Sequence, residues 1–141
     1  MKKVLVVFLM LNVIVLLTGC GNKKELVCST SSAGVTASFN MKYNSNKFES
    51  FKISYNIDLS KFTDEKASQY KNAKLCSTIA ASMSWGSAFT GCNQKLLENN
   101  KISVNTNVDI SKISDNDLDE LNDIEKAKKS FESKGFECKI K

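Results

Sequence analysis

Two stretches of this chain alternate apolar and polar side chains without interruption. Val35, Ala37, Phe39, Met41 and Tyr43 alternate with Thr36, Ser38, Asn40 and Lys42. Phe51, Ile53, Tyr55, Ile57 and Leu59 alternate with Lys52, Ser54, Asn56 and Asp58. A period of two predicts strands with one buried and one wet face. The turn cluster Asn44-Ser45-Asn46-Lys47 between them predicts an antiparallel hairpin. From Ala67 the period changes. Ala67, Tyr70, Ala73, Leu75, Cys76, Ile79, Ala80 and Met83 recur near helical spacing, behind a Thr63 N-cap and an acidic Asp64-Glu65 first turn. This predicts one helix over about 64–83, ending at Ser84-Trp85-Gly86.

Ile102, Val104, Thr106, Val108 and Ile110 restore the strand period after the turn signal Asn99-Asn100. The preceding segment, 92–98, fits either a strand or a short helix. A strand is preferred because it gives 102–110 a neighbour. Ser114 and Asp123 read as N-caps of two further helices, with acids early and lysines late to complement the helix dipole. Ile124, Ala127 and Phe131 form the apolar stripe of the second helix, and Gly135 its stop. Phe136 to Ile140 has strand character. The acidic run from Asp115 to Glu125 invites a calcium loop, but such a loop needs a central glycine that is missing. The elements run ββαββα with a short C-terminal strand. They predict an α+β domain: an antiparallel sheet of about four to five strands with helices packed on one face. No internal repeat is evident.

The first twenty residues obey another rule. Lys2 and Lys3 precede an apolar run from Val4 to Leu17, shorter than the roughly 20 residues a spanning helix needs. Leu17-Thr18-Gly19-Cys20 then resembles the lipobox of bacterial lipoproteins, in which the cysteine is acylated and becomes the first mature residue. The expected organisation is a signal peptide at 1–19, a lipid-anchored tether at 20–27 and one domain at 28–141. The expected location is the extracytoplasmic side of a cell membrane, held there by the lipid on Cys20.

Composition narrows what the domain meets. Its basic residues are all lysine, and lysines exceed acids by only five over 141 residues. Without arginine the usual bidentate phosphate reader is missing, so nucleic acid is not expected. Without histidine the commonest general base and metal ligand is missing. Ser68-Gln69-Tyr70-Lys71 and Ser114-Asp115-Asn116 match two of the three elements of the penicillin-binding set, but the third, Lys-Thr-Gly, is absent. No catalytic residue, metal or cofactor is expected.

Five cysteines remain to be assigned. Giving Cys20 to lipid leaves an even set, and an exported domain favours disulfides. Of three pairings, Cys28–Cys138 with Cys76–Cys92 is preferred. The first would tie the domain's two ends. The second demands a chain reversal, since a straight helix would hold those residues about 24 Å apart and a disulfide needs Cα atoms within about 6.8 Å. The reversal would fall at Ser84, beside Trp85-Gly86. A four-cysteine zinc site or a redox centre would call for a Cys-x-x-Cys pair, which is absent. Trp85 and Phe89 lie in the least regular segment. They read either as a cap on the core or as an exposed contact for a partner.

The lipobox at Cys20, Val27-Cys28-Ser29, the hairpin from Val35 to Leu59, the 104–110 strand ending in Asp109-Ile110-Ser111, and Lys134-Gly135-Phe136-Glu137-Cys138-Lys139 together resemble small bacterial lipoproteins of unknown function, the YehR-like type. The resemblance implies the same lipid-anchored α+β layout. It carries over no active-site residues and does not extend to the Cys76/Cys92 segment. The expected function is a non-catalytic binding or interaction module for an envelope protein or small ligand. The alternatives are a purely structural envelope lipoprotein and an extracytoplasmic hydrolase.

Overall fold

The computed structural model describes residues 23–45 and 47–141. Cys20 and the rest of the lipobox lie outside the described residues. Six strands form one antiparallel sheet: β1 (Lys23–Ser32), β2 (Val35–Asn44), β3 (Lys47–Asp58), β4 (Phe89–Leu97), β5 (Lys101–Val108) and β6 (Glu137–Ile140). Their spatial order is β4-β5-β3-β2-β1-β6. Four helices accompany them: α1 (Asp64–Asn72), α2 (Leu75–Ala81), α3 (Asp115–Asn122) and α4 (Ile124–Ser133). The α+β class is as expected; the sheet has more strands than expected. The strand not expected is β1; the two edge strands were expected. The 92–98 segment is strand and pairs with β5, while β6 crosses the molecule to pair with β1.

β1 precedes Val35–Tyr43, the first strand expected, and takes in the residues ahead of Cys28. Lys23 pairs with Asn44, and Leu26 is fully buried. Residues 23–27, expected in a tether, are therefore paired strand, and Cys28 lies inside β1 rather than ahead of it. The physical reason is an alternation too short to stand out: only Leu26 and Cys28 face inward before the polar Ser/Thr run that follows.

The predicted 64–83 helix is two helices. Ala73 leaves the helical region, with φ −74° and ψ 146°. Neither proline nor glycine breaks the ladder there. Instead the Gln94 side chain reaches over from β4. Its Nε2 donates to the Ala73 carbonyl at 3.0 Å, and its Oε1 accepts from the Leu75 amide at 3.0 Å. One amide satisfies backbone groups on both sides of the break that would otherwise be unpaired.

The inner face of the sheet buries two apolar clusters. The larger holds Phe39, Met41, Tyr43, Phe51, Ile53 and Phe131 among others, beneath α3 and α4. The smaller holds Ile57, Leu59, Ala67, Leu75, Ile102 and Val104, beneath α1 and α2. Tyr55 packs against both. In the larger cluster the Phe39 ring meets Phe51 edge-on at 5.9 Å, Phe131 at 5.1 Å and Phe136 at 4.9 Å. Gly135, at φ +91°, closes α4: its amide donates to Glu132 and the Phe136 amide to Phe131. That pair of bonds, with the Phe131–Phe136 ring contact at 5.7 Å, makes a Schellman stop.

The structure also uncovers a repeat that the chain pattern did not reveal. Ile57-Asp58-Leu59-Ser60-Lys61-Phe62-Thr63-Asp64 leaves β3, and Val108-Asp109-Ile110-Ser111-Lys112-Ile113-Ser114-Asp115 leaves β5. In both, the aspartate Oδ1 accepts from the serine amide at 3.1 Å and from its hydroxyl at 2.6 Å. In both, a single 3₁₀ turn follows (Leu59–Lys61, Ile110–Lys112), and Thr63 or Ser114 then caps the helix. Each copy opens a strand–turn–helix–helix–strand unit. The signal is eight residues long with conservative exchanges at half the positions, and it falls where the strand and helix periods both end.

Candidate functional site

Both expected cysteine pairs are present. Cys28 of β1 lies directly opposite Cys138 of β6, with Cα atoms 4.1 Å apart. Cys76 on α2 joins Cys92 on β4, with Cα atoms 6.0 Å apart. The chain reverses between these two through Ser82–Gly86 and a 3₁₀ turn at Gly86–Ala88. Gly86 has no substitute there: a Cβ at this position would sit 1.7 Å from the Ala80 carbonyl oxygen. The two bridges therefore pin the two edge strands, β6 to the sheet and β4 to the helical layer.

Trp85 and Phe89 are half-buried and pack against the larger cluster. The Trp85 ring lies 5.1 Å from Phe51 and 5.9 Å from Phe89. It closes the core at the chain reversal, and part of its surface stays in contact with solvent. Ser68 and Lys71 are exposed on α1. Ser114 donates to Asp117 and caps α3. The two short matches to the penicillin-binding set are thus on different elements, one of them engaged in capping.

The outer face of the sheet carries no helix among the described residues. It is paved by polar side chains in transverse rows. One row runs Glu137, Ser29, Ser38, Ser54, Asn105 and Asn93; another runs Ser31, Thr36, Asn56, Ser103 and Lys95. The side chains partner one another: Ser54 donates to Asn105 at 2.8 Å, Asn105 to Ser103 at 2.9 Å, and Asn40 to Glu25. The expected polar face from Thr36 to Asp58 is therefore real, and β4 and β5 extend it. A bulge at Gly91 opens a dip of about 250 Å³ between Lys52, Asn93, Asn105 and Asn107. Beneath the bulge the buried Thr106 hydroxyl donates to the Thr90 carbonyl at 3.2 Å.

A larger cleft, about 420 Å³, lies between the start of β1 and the α3–α4 junction. Lys24, Tyr43, Asp119, Asn122, Asp123 and Glu125 line it. The Tyr43 hydroxyl donates to the Leu121 carbonyl at 2.6 Å. Burial, and then the charge of Asp123, push its ionisation far above the ordinary phenol range, so it stays a neutral donor. Asp123 itself accepts from the Glu125 and Lys126 amides and caps α4. Tyr43 and Asp123 are thus committed to holding the fold. Among the described residues no cluster of three or more His, Cys, Asp or Glu side chains is placed to hold a metal. No helix among them is long and apolar enough to cross a membrane.

No family model matches this chain, and no curated protein matches it. Among solved structures, the NMR structure of a protein from Streptococcus pneumoniae TIGR4 is similar at 17% identity. The likeness covers 84% of this chain and 85% of that one, with a TM-score of 0.47.

Proposed function

We propose that this protein is a lipid-anchored lipoprotein of the bacterial cell envelope, of the YehR-like type. Its folded domain is a non-catalytic binding or interaction module. The observation that carries this reading is the closure of Cys28–Cys138 and Cys76–Cys92, which pairs every cysteine beyond the leader and sets Cys20 apart in its lipobox. Two disulfides in a small domain suit an oxidising, extracytoplasmic compartment. The wide polar face, with its rows of hydroxyls and amides, offers hydrogen-bonding surface without an aligned nucleophile and base.

The test is expression of the full chain in a bacterial host with labelled fatty acid. The label is expected in the membrane fraction on the native chain and absent from Cys20→Ala. An unlabelled native chain would remove the lipoprotein reading. Crosslinking in intact envelopes then tests the module: a reproducible adduct on the sheet's outer face supports it, and a clean chain favours a purely structural role.

A further inference from the structure

We propose that the domain stands on the bilayer by one fixed end, the end of the sheet where β1 begins, and that this end is its contact surface with lipid headgroups. The proposal rests on lipid attachment at Cys20 as read above. Only Gly21 and Asn22 separate Cys20 from Lys23, the first paired residue of β1. Three chain steps reach at most about 11 Å. Beyond them the chain has no slack. Lys23 pairs with Asn44, and Glu25 exchanges two backbone bonds with Lys141, at 3.0 and 2.8 Å. Cys28 is bridged to Cys138. A long tether would let the domain tumble above the membrane; this link ties the direction of β1, and with it the whole sheet, to the bilayer.

The strand register says what lies at each end. Beside Lys23 are Lys24, the β2–β3 turn with Lys47, and the α3–α4 junction with Asp123. Lys23 and Lys47 are exposed on the outer face of the sheet, level with Asn44, while exposed Lys24 pairs with Tyr43 and lines the cleft together with Asp119, Asp123 and Glu125. Anionic headgroups attract the three exposed lysines at this end of the sheet. The opposite end lies about 30 Å away along the strands. It carries the β4–β5 tip, where Leu96 is 60% and Leu97 42% exposed, and points away from the membrane.

The test uses the full chain, processed in a bacterial host and placed in phosphatidylcholine–phosphatidylglycerol vesicles. Intact mass reports acylation of Cys20, and hydrogen–deuterium exchange compares vesicles with detergent micelles. On vesicles, amides of Lys23–Leu26 and of the β2–β3 turn are expected to exchange at least about threefold more slowly. Amides of Leu96–Lys101 are expected to be unchanged. Insertion of about twelve Gly/Ser residues between Asn22 and Lys23 should abolish the protection while Cys20 stays acylated. Acylated Cys20 with equal exchange at both ends, or with protection at Leu96–Lys101, overturns the orientation alone. Protection that survives the insertion overturns the role of the short link. An unmodified Cys20 overturns the lipid reading, and the orientation with it.

Discussion

The units that follow β3 and β5 start alike and end differently. Both leave the sheet through the same Asp–Ser turn, the same 3₁₀ step and the same hydroxyl cap. After that they diverge. In the second unit, α3 and α4 are capped by Ser114 and Asp123, and Phe131 and Phe136 pack on Phe39. In the first unit, α2 has no side-chain cap, α1 buries only Ala67, and no phenylalanine from either helix enters the core. What holds that half is the Gln94 side chain and the Cys76–Cys92 bridge. An identical local start thus leads to two ways of fixing a helical layer. One works by caps and aromatic burial. The other works by a crosslink and one well-placed amide, where the helices bury too little surface to hold themselves.

The largest expected effect separates the two bridges. Cys28 and Cys138 are 110 residues apart in sequence, and Cys76 and Cys92 are 16 apart. On loop-closure entropy, replacing the first pair by alanine costs about 4–5 kcal/mol of global stability, and replacing the second about 3 kcal/mol. Denaturant titration of both double variants measures this. Equal losses would show that native-state contacts, not loop length, set the cost.

Next comes Phe131→Ala, expected to cost about 3–4 kcal/mol because it empties the aromatic cluster. Its thermal unfolding should stay a single transition. A split transition would mean that the two clusters fold independently. Gln94→Ala should cost about 2 kcal/mol, since it strands two backbone groups at once. Its signature is faster amide exchange confined to α1 and α2. Uniform acceleration across the sheet would contradict a local role for Gln94.

The smallest effect tests the repeat itself. The Ser60 hydroxyl and amide, with Lys101 and Lys61 nearby, hold the Asp58 carboxyl below its ordinary range. Ser111 does the same to Asp109, aided by Lys112. A depressed folded-state value contributes stability that is present above the unfolded value, near pH 4, and is lost as pH falls through the folded value. Asp58→Asn and Asp109→Asn should therefore differ from the native chain at neutral pH and converge with it below about pH 4. Because both carboxyls are exposed, the differences will be small and similar. A clear inequality between the two variants would break the equivalence of the turns.

Much of this was legible along the chain, and for local reasons. Alternation in β2, β3 and β5 depends on side-chain period alone. The caps at Thr63, Ser114 and Asp123 each need a short polar side chain within three residues of a free amide. Gly135 is readable because few other residues adopt its positive φ. The cysteine pairing was preferred among three because it joins the domain's ends and because the reversal it demands falls at the helix end expected at Ser84-Trp85-Gly86. The polar outer face followed from the same alternation as the core. Trp85 stayed ambiguous because one ring both closes the core and keeps some exposure.

Periodicity and caps are properties of neighbours in sequence, so they determined most of the elements, β1 and the split of the 64–83 helix excepted, with their wet and dry faces and an α+β layering. Where distant segments meet is a different matter. The crossing of β6 to β1, the placing of β4 at the far edge, and the break at Ala73 all depend on partners far along the chain. Gln94 is the plainest case: nothing around residue 94 or residue 73 signals the contact, because the energy that splits the helix comes from an amide 21 residues away. Long-range pairing chooses among arrangements that local preferences leave nearly equal, and only the folded sheet makes that choice.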